Sequence, residues 1–433
     1  MWPNKAEEIR SWLRTDILLW VSFAFIHVSP AIASLGLGGY VLQLMLLGVR
    51  VELNAAQKLA GWGIFAVLLW NVLSLIDSVT LGWITLGVFD SGEVGLNVAM
   101  SKVLLKLPFL LICGLMASGK RLNTIFYARW PLAILPLIWI SVSSVIHYLQ
   151  HRGFYDQMVL ESKPIPLYSK VYHIEFSVIL GAAVLFLFRG LLLDWIAARY
   201  KKMAWMATAT LVLCMHILGT RTGLVLLYIG GSLMWFERYY RTPKFFLRLG
   251  ALSLLLLAML LTIPSTRNRL VNTLQDFNAT QSGGDVTHQS FGQRWIAWKT
   301  AVHLLKSDGN SIFMGSGMGV DENLRRGYEK LDVPLAERHR IGVHNQWLET
   351  ALQSGCLSAL GLLVFGFFLF QKDRNNSNFS GNSIWLALIA AMMFESVLER
   401  QAGVLVVIVA FQVLMGEKIW QNSKIKNEDT LIN

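Results

Sequence analysis

Of 433 residues, 54% belong to the apolar class AVILMFWYC and only 15% are Asp, Glu, Lys or Arg, with a mean hydropathy of +0.49. Soluble domains carry about 25% charged residues, so this composition excludes a soluble enzyme, a disordered chain, a coiled coil and a secreted disulfide scaffold, leaving an integral membrane protein. The 38 Lys and Arg against 27 Asp and Glu are read by position, as basic residues of cytoplasmic loops, and no nucleic-acid partner is expected.

Apolar runs of about 20 residues, shorter where a bundle covers them, predict twelve transmembrane helices. The N-terminal tail, 1–16, carries Lys5, Glu7, Glu8, Arg10 and Arg14 ahead of the first apolar run, which predicts an uncleaved first span rather than a signal peptide. Nine spans are expected within 17–264: Ile17 to Leu35, Leu37 to Val51, Leu59 to Val79, Met100 to Ala117, Pro131 to Leu149, Ile174 to Leu193, Met203 to Leu218, Thr222 to Phe236 and Phe246 to Pro264. A polar, Gly-containing, mainly helical segment, 265–343, follows. Three more spans are expected within 344–417: Asn345 to Phe370, Ile384 to Leu398 and Gln401 to Gly416. The tail 418–433 closes the chain.

With the N-terminus inside, every loop on that side is basic, as in Lys120-Arg121, Lys201-Lys202 and Arg238 to Arg248, and the even number of spans returns the C-terminus to the cytoplasm. Segment 265–343 then lies outside the membrane as a small subdomain folded over the bundle, of a length at which loops are commonly functional. The fold class is all-α: a polytopic integral membrane protein with one large extracytoplasmic, mainly helical loop.

Signatures of soluble enzymes are missing: there is no GxxxxGK[ST], HExxH, GxSxG or DxD pair, so neither a metal nor another cofactor is expected. Cys113, Cys214 and Cys356 sit in apolar runs without CxxC pairing and are read as packing residues. Gly315-Ser316-Gly317-Met318-Gly319 follows no strand and opens no clear helix, so it is read as a turn rather than a nucleotide loop.

Three stretches remain. Gly219-Thr220-Arg221-Thr222-Gly223 puts an arginine among small residues in a short outer turn, where it can meet an anionic group or, alternatively, lipid head groups. Gly292 to Ala301 predicts a helix with Trp295, Trp298 and Val302 along one side, lying against the bilayer and offering Arg294 near its N-terminus, where the dipole also favours an anion; the alternative is an amphipathic surface helix. Arg338-His339-Arg340-Ile341-Gly342-Val343-His344-Asn345 leads into a span and sets His344 at the membrane boundary, as a general base or as a structural residue. Arginine suits a diphosphate because its planar fork is bidentate and always charged, and two of them can stabilise a pyrophosphate leaving group without a metal.

In these stretches, roughly Trp205 to Phe370, the chain resembles the O-antigen ligase and polymerase superfamily of bacterial membrane glycosyltransferases. The likeness lies in Arg221 in a short outer turn, Arg294 with Trp295 and Trp298 on a loop helix, the Gly315 to Gly319 turn, and His344-Asn345 with Leu348 and Gly355 opening the next span. The N-terminal half matches only in being polytopic, and Thr220 and Thr222 stand where serine and glycine are usual around the arginine.

The resemblance implies inverting, metal-independent transfer of a glycan from undecaprenyl diphosphate to a sugar hydroxyl of lipid A core at the periplasmic face of the bacterial inner membrane. Arg221 and Arg294 would hold the diphosphate and His344 would be the catalytic base. Arg338, His339 and Arg340 are secondary candidates, as is Arg400 in the segment Glu395 to Gln401, which also looks ligase-like. The partners implied are the lipid-linked glycan donor, the lipid A core acceptor and membrane lipids. One dominant outer loop favours the ligase over the polymerase, in which two large outer loops are common; a polymerase or a protein-glycosylating ligase of the same superfamily is the alternative. A polysaccharide or lipid exporter is the reading from a different class; it would give a role to Lys102 and Lys106, but no repeat relates the two halves of the chain.

Overall fold

The computed structural model describes residues 18–47 and 58–70 with single-residue gaps, residues 104–107, and residues 130–410 apart from 161–164, 220, 241, 283–288, 308–310, 316–319, 334–339 and 371–381. Regular structure among the described residues is entirely helical. In chain order the helices are α1 Pro30–Leu47, α2 Trp130–Gln150, α3 Arg152–Leu160, α4 His173–Leu192, α5 Ala198–Ile217, α6 Arg221–Tyr239, α7 Phe245–Thr262, α8 Pro264–Ser282, α9 Ser290–Ser307, α10 Ser311–Met314, α11 Val320–Lys330, α12 Gln346–Ser354, α13 Cys356–Phe370, α14 Asn382–Met392 and, after a 3-10 turn at Val397–Glu399, α15 Gln401–Ala410.

Helices α2 and α4 are each long and apolar enough to cross a bilayer, and α7 with α8 meets the same test only as a pair bent by 85°. Two or three of the twelve expected spans therefore stand by length and composition among the described residues. The expected span Met100 to Ala117 and the end of Leu59 to Val79 lie largely outside them. Side chains such as Phe246 (82% exposed) and Leu254 on α7, Trp139 on α2 and Leu357 on α13 face outward on apolar helices. Hydrocarbon is the solvent that suits such surfaces, as expected of an integral membrane protein.

The bundle is centred on α4, which is buried from Phe176 to Leu187 and packs along α6; α6 in turn packs against α14. Glycines set these crossings. A Cβ on Gly181 would lie 2.9 Å from the Gly223 carbonyl oxygen, and one on Gly223 would run into the Ser177 carbonyl, while the Gly223 amide donates to Ser177 Oγ at 3.0 Å. On the next turns of α6, Gly230 meets Leu185 of α4 and Ala387 of α14, whereas Gly231 faces only Leu227 of its own helix.

Segment 265–343 has its own small core, in which Ala297, Ala301, Val320, Leu324 and Tyr328 pack with Val343 and with Ala351 and Leu352 of α12. Two sets of bonds tie it to the bundle. The hydroxyls of Ser265 and Thr266 at the start of α8 donate to the end carbonyls of α5, His216 and Ile217, groups that a helix C-terminus leaves without internal partners. Further along α8, Asn272 Nδ2 donates to the Val159 carbonyl of α3 at 2.8 Å.

Helix bounds depart from the expected spans at three places. The first break falls at Ser29-Pro30, not between Leu35 and Leu37: proline starts a helix readily, and Gly36 lies inside α1 where it packs against Leu18 and Ser22. The expected span Asn345 to Phe370 is two helices separated at Gly355 (φ +88), whose amide closes α12 on the Ala351 carbonyl. The span expected from Ile384 to Leu398 is helical only to Met392, then turns through Glu395 to the 3-10 turn.

The glycine contacts yield a test within one helix. Gly223→Ala and Gly230→Ala should each destabilise the folded protein by about 1–3 kcal/mol, as overpacking does. Gly231→Ala should be neutral or stabilise by about 0.5–1 kcal/mol, because it removes only helix-breaking flexibility. Thermal unfolding in detergent measures the order; equal stability of all three would mean that the α4–α6–α14 contact is looser than described.

Candidate active site

Turns from distant parts of the chain meet at one end of the bundle. The Lys170 amide donates to the His27 carbonyl at 2.9 Å, Arg400 lies 4.0 Å from Glu175, and Gln401 Nε2 donates to Ser34 Oγ. At this end the bend after α14 delivers Glu395, which is 6% exposed. Its Oε1 takes Nη2 of Arg294 at 2.6 Å and its Oε2 faces Nδ1 of His344 at 3.0 Å. One carboxylate thus joins α9, the loop before α12 and the bend after α14.

His344 is held from both sides. On one side Trp298 Nε1, one turn beyond Arg294 on α9, donates to the Val343 carbonyl at 2.9 Å. On the other, Asn345 caps α12: its Oδ1 accepts from the amides of Trp347 and Leu348 at 3.0 and 3.1 Å, and its Nδ2 donates to the Met393 carbonyl at 3.0 Å. Between these anchors His344 has φ +45, a left-handed conformation that costs a non-glycine residue of order 1–3 kcal/mol unless its surroundings enforce it. A carboxylate can only accept, so Glu395 holds the proton of the neutral ring on Nδ1 and leaves Nε2 as the acceptor.

Arg221, the first residue of α6, is close enough to both Arg294 and Asp276 to feel their charges. Its Nε and one terminal nitrogen, Nη2, are buried and have no hydrogen-bond partner among the described residues. A desolvated guanidinium with open donors is costly until an anion completes it. The neighbouring His216 is satisfied, with Nδ1 on the Val212 carbonyl and Nε2 on the Tyr228 hydroxyl, both at 2.7 Å.

The N-terminus of α9 was the expected place for an anion, but it is occupied by one already. Asp276 Oδ2 accepts from the Phe291 amide at 3.3 Å. Burial pushes this carboxyl up, while the Phe291 amide and the Arg221 guanidinium pull it back. The expected apolar side of α9 also divides: Trp295 and Val302 are exposed, while Trp298 turns toward Val343 and Phe394.

Of the secondary candidates, Arg340 and Arg400 are among the described residues. Arg338 and His339, like Ser316 to Gly319, lie outside the described residues. Arg340 stands 4.0 Å from Glu329 and over the Tyr328 ring at 5.8 Å. Arg400 lines a cavity of about 280 Å³ that opens beside His344. Lys106, which could have lined a transport path, is buried with Nζ 2.8 Å from Glu399 and 2.9 Å from Gln353 Oε1. Gly315 (φ +76) sits so close to the Gln353-Ser354 backbone that no Cβ fits, which gives the start of the glycine-rich turn a packing role.

Glu395 was not singled out from the sequence as a site residue. Its signals there are its place at the start of the ligase-like segment Glu395 to Gln401 and its rarity, an acidic residue at the end of an apolar run, which is a default pointer to function in a membrane segment. Among the described residues no group of three or more His, Cys, Asp or Glu could hold a metal ion.

The cap at Asn345 is open to test. Asn345→Ala should lower stability by about 1 kcal/mol or more, and Asn345→Asp by less, because the aspartate keeps the accepting oxygen and loses only the bond to Met393. Thermal unfolding distinguishes them; an alanine variant as stable as the parent would count against the cap.

No curated protein matches the chain. Residues 206–365 match the family described as O-Antigen ligase, a segment that runs from within α5 into α13 and stops short of Glu395. That segment holds the Arg221 turn, the Arg294 helix and the His344 loop, which the fold gathers at one end of the bundle, and over those residues the chain is similar to the O-antigen ligase family.

Proposed function

We infer that the protein is an O-antigen ligase, which transfers a glycan en bloc from undecaprenyl diphosphate to a sugar hydroxyl of lipid A core. The observation that supports this most directly is the Glu395 carboxylate bridging His344 Nδ1 and Arg294. It pairs a histidine prepared to accept a proton at Nε2 with an arginine at the expected diphosphate position.

In the reaction the acceptor oxygen attacks the anomeric carbon of the donor and the bond from that carbon to the diphosphate oxygen breaks, inverting the configuration. The acceptor proton passes to His344 Nε2, and the imidazolium is stabilised by Glu395. Undecaprenyl diphosphate leaves with the bonding electron pair. Arg221, with its open donors, and Arg294 take up the charge that develops on it. The donor thereby supplies the anion that a buried guanidinium lacks, and no metal is required. A lipid-linked donor and a lipid-anchored acceptor also agree with a site at the end of a helical bundle, where both can approach from the bilayer.

Arg221→Lys and Arg294→Lys should each lose most transfer activity, because a point charge does not replace a bidentate fork. Glu395→Gln should fall by about 100-fold or more, the scale of a positioned general base, since the amide has one accepting oxygen for two partners and no charge to pair with Arg294 or to stabilise the imidazolium. Transfer from a purified lipid-linked glycan to lipid A core, at matched protein levels, checks all three; near-normal activity of any variant would remove that residue from the mechanism.

In this reading segment 265–343 is periplasmic and both termini are cytoplasmic. A cysteine at Ser282, in a chain whose native cysteines are replaced by serine, should react with a membrane-impermeant maleimide in cells with an intact inner membrane. Reaction only after that membrane is permeabilised would reverse the topology.

A further inference from the structure

The cavity beside His344 differs in charge from the arginine side of the same site. It is lined by His344, Glu395 and Val343 together with Glu175, Glu349, Glu399, Asp321, Arg400 and Tyr172. Neither Arg221 nor Arg294 is among its walls. Glu395 is the divider: Oε1 turns to Arg294 and Oε2 to the histidine. At the mouth Tyr172 is 57% exposed, with its ring 4.2 Å from that of His173.

Resting on the glycosyl-transfer reading, we propose that this cavity is the acceptor subsite and that it takes a sugar unit bearing no phosphate or carboxylate. Three independent features carry this. The concavity adjoins the histidine that is to receive the acceptor proton, and its volume of about 280 Å³ is of the order of one or two sugar rings. Its walls carry Glu175, Glu349, Glu395, Glu399 and Asp321 against one guanidinium, Arg400; Glu395 and Glu399 also pair with Arg294 and Lys106, and the acidic excess that is left accepts hydrogen bonds from sugar hydroxyls and disfavours an anionic substituent. An exposed tyrosine at the rim presents an apolar face and a polar tip, the combination that packs against a sugar ring while bonding its hydroxyls.

The two substrates are thereby sorted by charge. A diphosphate is drawn to Arg221 and Arg294 and kept from the carboxylate-lined side, so the donor cannot block the place of the acceptor. Glu175 is the wall residue best suited to a test, since it belongs to α4, outside the Arg294–Glu395–His344 link, and Arg400 approaches it to 4.0 Å.

The experiment uses the full-length protein in liposomes with an undecaprenyl-diphosphate oligosaccharide as donor. Two synthetic lipid-anchored acceptors are compared, ending in the same neutral hexose with or without a phosphate monoester on that ring. The neutral acceptor should be favoured in kcat/KM by roughly tenfold or more, the scale of one like-charge contact at a partly buried site. Glu175→Gln should shrink that ratio severalfold by relieving the repulsion and leaving Arg400 uncompensated, an effect on selectivity that mere loss of folded protein would not produce. Equal use of the two acceptors by the parent protein, or an unchanged ratio in the variant, would overturn the acceptor assignment while leaving glycosyl transfer in place. Transfer to neither of these acceptors nor to lipid A core would instead overturn the transferase reading itself.

Discussion

A single carboxylate, Glu395, holds the site together. Its two oxygens engage Arg294 at 2.6 Å and His344 at 3.0 Å, and with 6% exposure it has little water to replace either partner. Removing one member of a buried charge pair strands the other, at a cost of about 3–5 kcal/mol. The constraint also reaches beyond the pair, because the three residues belong to a helix of the 265–343 segment, to the loop before α12 and to the bend after α14. The segment's apolar core and its bonds through Ser265, Thr266 and Asn272 are separate from that link.

The remaining contacts serve to hold the histidine where that carboxylate can use it. Trp298 and Asn345 fasten the residues on either side of His344, and the left-handed backbone between them is the conformation that results. Asn345 works in two directions, capping α12 with its oxygen and reaching the bend after α14 with its nitrogen. The same bend therefore positions both the cap and the carboxylate. This explains why the apolar run before Glu395 ends as helix at Met392: a continuous span would carry Glu395 away from His344 instead of turning it inward.

Charge is distributed unevenly around this centre. Arg221 approaches from the short turn between α5 and α6 with donors left open, Asp276 fills the N-terminus of α9 that would otherwise compete for an anion, and carboxylates line the cavity on the other side of Glu395. At the cavity wall formed by Glu399, Lys106 meets Glu399 and Gln353, joining the N-terminal half to the 3-10 turn and to the end of α12. Oxygens and nitrogens in a low-dielectric setting are expensive to bury singly, and pairing Lys106 with Glu399 and Glu395 with Arg294 offsets that cost.

Much of this was legible in the sequence. Apolar runs marked helices α2 and α4 to α7 to within a few residues, because a bilayer or bundle core imposes a long apolar helix regardless of its neighbours. The small residues around Arg221, the aromatic helix bearing Arg294 and the His344-Asn345 pair were recognisable because each is a local pattern at a helix start. What only the tertiary structure decided depends on residues far apart in the chain. Glu395 acquires its meaning from Arg294 and His344, 101 and 51 positions away, and no periodicity reports such a distance. The inward turn of Trp298 and the break at Gly355 depend on which surfaces meet, as does the filling of the α9 N-terminus by Asp276. A sequence of apolar helices specifies that a bundle forms; which polar side chains face one another at its end is set by the packing of those helices, through contacts that no single segment contains.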